Sequence, residues 1–242
     1  MKKSLLLLII PLLTYSQSNI NDEFVEWKLH KNYLSYLNKK GEKIVQNFYF
    51  KSSTPKKEVS ITFDDGPKNN TKKIISYLLK NDIPATFFII SSQLNKSNIL
   101  DFDNQLIEVG LHTYSHLDYS LLSRGEKEND IKKCIDIFKK YNLMTNYFRP
   151  AYGIIDKEIS DLLKKYNIQG IIWSIDSYDW NGYRGKKLVS HVIENLHPGA
   201  IILLHDRISI NDLSDLISGI NNKGFKIVPL KELMKYNSET PL

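Results

Sequence analysis

Residues 59–67 read Val59-Ser60-Ile61-Thr62-Phe63-Asp64-Asp65-Gly66-Pro67. Val59–Phe63 has the short apolar character of a buried strand. It ends on two adjacent carboxylates, which repel one another unless one of them binds a cation. The same design recurs downstream. Val109–Leu111 ends at His112, Tyr147–Phe148 at Arg149, Gly170–Ile175 at Asp176, and Ala200–Leu204 at His205-Asp206. With Ala85–Ile90 and Lys226–Pro229 these make seven strand candidates in about 180 residues, separated by helical patterns. Ile74, Ile75, Leu78 and Leu79 mark one helix face. Ile131, Cys134, Ile135 and Phe138 mark a second, and Ile159, Leu162, Leu163 and Tyr166 a third. Alternating strands and helices predict a parallel α/β sheet with right-handed crossovers, open or closed into a barrel.

In such a fold every strand C-terminus lies on one face, where these enzymes place their chemistry. Ionisable groups ending five strands are not explained by folding, because desolvated charges are costly unless paired or metal-bound. Asp65, His112 and His116 offer one carboxylate and two imidazoles, a ligand set for a divalent metal with open positions. His112 and His116 alone would read as two surface histidines; beside Asp64-Asp65 they read as ligands. Asp64 is then free to take a proton from water, with Arg149 pairing it and holding it ionised. His205, on another strand, is the candidate general acid.

These residues also carry a resemblance. Thr62-Phe63-Asp64-Asp65-Gly66-Pro67 is similar to the TFDDGP signature of the polysaccharide deacetylases, the NodB-homology domain of carbohydrate esterase family 4. His112-Thr113-Tyr114-Ser115-His116 resembles that family's H-[ST]-x-x-H segment. Arg149-Pro150-Ala151-Tyr152-Gly153 resembles its R-x-x-Y-G segment, with Ala151 where a second proline is common. Asp176-Ser177-Tyr178-Asp179-Trp180 resembles D-[ST]-x-D-W, and Leu203-Leu204-His205 the closing L-x-H. All five stand in family order.

The resemblance implies a distorted (β/α)7 barrel and removal of N-acetyl groups from a glycan such as peptidoglycan, a chitin-like polymer or poly-N-acetylglucosamine. It implies a divalent metal, zinc or else cobalt, on Asp65, His112 and His116. Asp64 is implied as the base oriented by Arg149, and the Tyr152 backbone N–H as an oxyanion donor. His205 is implied as the acid, tuned by Asp176, which ends its strand, or by Asp179. Trp180 and Leu203 would wall the acetyl pocket. Other outcomes that this pattern leaves open are a hydrolase of another non-peptide C–N bond and an inactive carbohydrate-binding relative.

Working outward, the chain has 242 residues, 42% hydrophobic and 25% charged, which excludes a disordered tail and a multi-span membrane protein. Its single cysteine, on the second helix face, excludes an intrachain disulfide framework. Residues 1–18 read as a signal peptide: Lys2-Lys3, then an apolar run Leu5–Leu13 too short to span a bilayer, then small polar residues. Export follows, to the periplasm, cell surface or medium, with no membrane span after cleavage. Losing Lys2 and Lys3 takes the net charge from +6 to +4. That excess is too small to argue for nucleic acid, and no nucleic-acid motif is present. Residues 19–56 read as an extension and linker rich in aromatics, and 57–237 as the catalytic domain, acting as a monomer on a polysaccharide. His30, His191 and His197 receive structural or solvated readings.

Overall fold

The computed structural model describes residues 47–102 and 104–237, without the side chains of Leu100, Asp101 and Asn237. The expected signal peptide, His30 and most of the expected extension lie outside the described residues. The strands are β1 (Phe48–Tyr49), β2 (Glu58–Gly66), β3 (Ala85–Ile89), β4 (Ile107–Leu111), β5 (Tyr147–Phe148), β6 (Gln169–Ile171), β7 (Ile175–Asp176), β8 (Ile201–His205) and β9 (Lys226–Ile227). The helices are α1 (Thr71–Lys80), α2 (Arg124–Lys140), α3 (Lys157–Lys165), α4 (Gly185–Glu194), α5 (Ile210–Asn222) and α6 (Leu230–Met234).

All named strands pair in parallel, in the order β1-β6-β5-β4-β3-β2-β8-β7, with β9 against the start of β2. β2 and β3 are buried almost end to end. Parallel strands covered on both faces need such continuous apolar runs. The expected helix faces are buried: Ile74, Ile75 and Leu78 on α1; Ile131, Cys134 and Phe138 on α2; Ile159, Leu162 and Leu163 on α3. Helix starts follow local chemistry. Ser123 and Glu126 form a reciprocal capping box on α2, and Asp156 and Ser209 cap α3 and α5.

The fold is a curled parallel half-barrel sheet with helices, of the distorted (β/α)7 type that the resemblance implied, with two departures. The run Gly170–Ile175 is not one strand. β6 pairs with β5, whereas β7 pairs with β8 at the other end of the sheet, so the chain changes partner across Ile172-Trp173-Ser174. Apolar periodicity cannot register a change of partner. Second, Phe48–Tyr49, in the segment read as extension, pairs with β6 at Gly170 and Ile171. Gly170 is required there, because a Cβ at that position would enter the Phe48 ring. Ser52 anchors the same segment, its N–H donating to Gly199 O at 2.8 Å and its hydroxyl to Leu233 O at 2.6 Å.

Candidate active site

Consecutive strand residues point to opposite faces, so Asp64 and Asp65 could not both serve one site from a regular strand. The β2–β3 register shifts between Phe63 and Gly66, and Asp65 has φ +71°. This irregularity re-aims the second carboxylate. Left-handed backbone is frequent for Asn and Asp but strained for bulkier residues. Thr113 (+62°), His116 (+59°), Tyr152 (+59°) and Tyr178 (+55°) all adopt it, each in a loop that follows a strand.

Arg149 is fully buried and its donors are committed. Nε donates to Ile171 O at 3.0 Å and Nη2 to Ile172 O at 2.9 Å. Nη1 donates to Thr62 Oγ1 at 2.9 Å and Asp64 Oδ1 at 2.6 Å. The Phe88 ring lies 3.9 Å from the guanidinium carbon. Burial pushes the Arg149 pKa down, and the Asp64 charge and hydrogen bond oppose that shift. Asp64 is thus a buried carboxylate with one oxygen held and Oδ2 left 3.7 Å from His112 Nε2.

His112 is buried, and its Nδ1 lies 2.8 Å from Arg149 O. A carbonyl only accepts, so Nδ1 carries the proton and Nε2 presents its lone pair. Asp65 Oδ1 lies 3.5 Å from His112 Nε2 and 3.0 Å from His116 Nε2. Burial raises the Asp65 pKa, but the two imidazoles that face it override that shift and hold the carboxyl well below the usual range.

Sequence reasoning passed over Asp130, a buried carboxylate on α2. Its Oδ1 accepts from Tyr114 N–H at 2.9 Å and from the Tyr119 hydroxyl at 2.6 Å. Tyr114 lies between the two histidines, so Asp130 fixes their loop from below. Thr113 Oγ1 adds a bond from His116 N–H at 2.8 Å. The signal was available: Asp130 stands on the buried face beside Ile131 and Cys134, where an unpaired charge would be costly.

Ligand-capable atoms of Asp65, His112 and His116 lie within 4.8 Å of one another. Asp65 Oδ1 is buried and makes no hydrogen bond of acceptable geometry. One carboxylate oxygen and two imidazole nitrogens so grouped could hold a divalent metal ion.

Across the site, Asp179 rather than Asp176 touches His205. Asp179 is fully buried; its Oδ1 lies 2.7 Å from His205 Nδ1, and its Oδ2 accepts the His205 backbone N–H at 2.7 Å. The strand-end argument favoured Asp176, but the turn after β7 carries Asp179 back over β8. Burial alone would lower the His205 pKa; the Asp179 hydrogen bond and charge raise it above the ordinary value. Asp176 instead accepts from Tyr178 N–H at 2.8 Å and Trp180 Nε1 at 3.1 Å, and burial pushes its pKa up to about 6. His191 supports this turn, donating from Nε2 to Asp176 O at 3.0 Å. Tyr152 and Trp180 are exposed at the rim, while Leu203 is buried on β8 beside Thr62 and Asp176. His197 is half-buried, its Nδ1 3.0 Å from Pro198 O and its own carbonyl accepting from Ala200 N–H at 3.2 Å, and Asn195 closes α4.

Comparison with known proteins gives a consistent picture. The sequence profile described as polysaccharide deacetylase matches residues 51–171. The chain is 30% identical over 207 residues to a peptidoglycan-N-acetylglucosamine deacetylase of Bacillus cereus, covering 81% of this chain and 75% of that protein. It is 27% identical to a peptidoglycan-N-acetylmuramic acid deacetylase of Bacillus subtilis, covering 77% and 74%. Its fold is similar to a pseudoenzyme of carbohydrate esterase family 4 from Bacillus anthracis, with TM-score 0.71 and 26% identity over 77% of this chain and 68% of that one.

Proposed function

Because this chain belongs to the polysaccharide deacetylase family, we propose that it is an exported, metal-dependent hydrolase that removes acetyl groups from N-acetylhexosamine residues of a glycan. The observation that carries this reading is the pairing at the strand ends. Asp64 is locked to Arg149 and His205 to Asp179, on either side of one three-residue ligand set.

The reaction cleaves an amide with water, giving acetate and a free amine. An amide is a weak electrophile with a poor leaving group. A divalent cation held by Asp65, His112 and His116 supplies Lewis-acid polarisation and lowers the pKa of water when bound. Asp64 takes a proton from the attacking water on the oxygen that Arg149 leaves free. Arg149 keeps that carboxylate ionised and fixed. The Tyr152 N–H, held in its left-handed turn, donates to the developing oxyanion. Protonated His205 gives its Nε2 proton to the departing amine while Asp179 holds Nδ1. Trp180 and Leu203 bound the acetyl methyl. The basic, apolar and small-polar order of residues 1–18 supports export.

The similarity to a pseudoenzyme gives a second reading, glycan binding without turnover. Acetate release separates them. Peptidoglycan, chitin oligomers and poly-N-acetylglucosamine are incubated with the chain, with added zinc or cobalt and then with chelator. Release from at least one polymer, lost on thorough chelation and restored by metal, is the expected result. No release from any polymer with metal supplied rejects the reading, and release that survives chelation rejects its metal dependence.

A further inference from the structure

A cavity of about 890 Å³ lies across the N-terminal ends of β4 and β5, at the opposite end of the sheet from the strand-end site. Glu108 in its lining is separated from His112 by roughly 13 Å of strand. The volume falls within the range of small-molecule sites, about 300–1,000 Å³. Tyr147 lines it while only 8% exposed, and among the described residues its hydroxyl makes no hydrogen bond. Burial pushes the Tyr147 pKa up to about 12, so the hydroxyl stays a donor. A buried phenol normally finds a partner.

The charges in the lining are already spent on each other. Glu108 accepts from the Thr86 hydroxyl at 3.1 Å and from the Lys231 N–H at 3.3 Å, and Lys231 Nζ lies 3.8 Å from it. Gln105 and Asn146 also line the cavity, and their side-chain amides make no hydrogen bond among the described residues. Each amide both donates and accepts. Met144, 87% exposed, adds apolar surface at the same wall. A charged ligand would find no spare counter-charge here. An uncharged, hydroxyl-rich ligand would find donors, acceptors and an apolar face.

We propose that this cavity is a second glycan-binding site, taking an uncharged saccharide segment away from the bond being cleaved. Such a site goes beyond the deacetylase reading and borrows from it only the polymer class. Tyr147 and Asn146 bond hydroxyl and acetamido groups, and Met144 covers a C–H face of the sugar. A polymer held there presents its other units to the strand-end site at raised effective concentration.

The full chain is titrated with an N-acetylglucosamine tetramer, first with chelator and then zinc-loaded, while amide NMR signals are followed. Saturable shifts of the Met144, Asn146 and Tyr147 amides are expected, equal in the two states because the cavity lies away from the proposed metal ligands. Binding there should weaken about tenfold in Tyr147→Phe combined with Asn146→Ala. In the same variant KM for a long polymer should rise at least about fivefold, with kcat and KM for a trimer unchanged. Shifts confined to the strand-end site, or cavity binding undiminished in the folded variant, overturn the second site. If that variant does not fold, Met144→Lys, at an exposed position, replaces it. Cavity shifts without acetate from any polymer keep the second site and remove the deacetylase reading. Acetate without cavity shifts does the reverse.

Discussion

Arg149 holds a full charge with no exposed surface, and its surroundings explain how. Two carbonyls, a hydroxyl and the Asp64 carboxylate receive its N–H groups, and the Phe88 ring lies against its face. Truncating Arg149 to Ala leaves Asp64 buried without its counter-charge. That should cost roughly 3–5 kcal/mol in urea denaturation. Asp64→Asn keeps shape and removes the base, so kcat should fall on the order of 10²–10⁴-fold; it also leaves buried Arg149 without its counter-charge, so the melting transition should fall as well. His205 gives a pH prediction. Its pKa is raised, so its protonated, competent form persists to higher pH than for an ordinary histidine. The alkaline limb of kcat/KM should therefore move to lower pH in Asp179→Asn, measured as a full pH–rate profile. Linkage has the same sign. The charged pair stabilises the fold fully below the unfolded histidine value of about 6.5, and that contribution is lost as pH rises through the raised folded value.

At the scale of elements, the site is built by what strands do at their C-terminal ends. The register shift in β2 turns Asp65 toward the histidines, and α2 holds the His112–His116 loop through Asp130. β4 contributes by lacking a side chain. A Cβ on Gly110 would come 2.5 Å from the Phe88 ring, which backs Arg149. Gly110→Ala should therefore destabilise by about 1–3 kcal/mol. If Phe88 shifts to make room, Arg149 and Asp64 move with it, and activity should fall further than stability alone explains. Wild-type activity in a Gly110→Ala protein of unchanged melting temperature would show that this packing does not reach the site.

Among the described residues, the sheet runs from β1 to β7, with the segment from Gln169 to Asp176 contributing β6, next to one end, and β7, at the other. β1 belongs to that construction. A chain starting at Ser53 loses the Phe48–Gly170 packing and the Ser52 bonds, and should melt below a chain starting at Asn47. Equal melting temperatures would mean that β1 merely decorates the sheet edge. The sequence by itself determined the alternation of strands and helices, the buried faces of α1, α2 and α3, and the placement of Asp64, His112, Arg149, Asp176 and His205 at strand ends. Those are local properties, written in apolar periodicity and in where it stops. Only the tertiary structure decided that Asp179 and not Asp176 holds His205, that Gly170–Ile175 divides between two partners, and that Phe48–Tyr49 is a strand. It alone brought Asp130 under the histidine loop and set Lys68 and Arg207 on the same carboxylate. The physical reason is common to these cases. Each depends on a contact between residues distant in sequence, formed by a turn or a change of strand partner, and neither leaves a period in the chain.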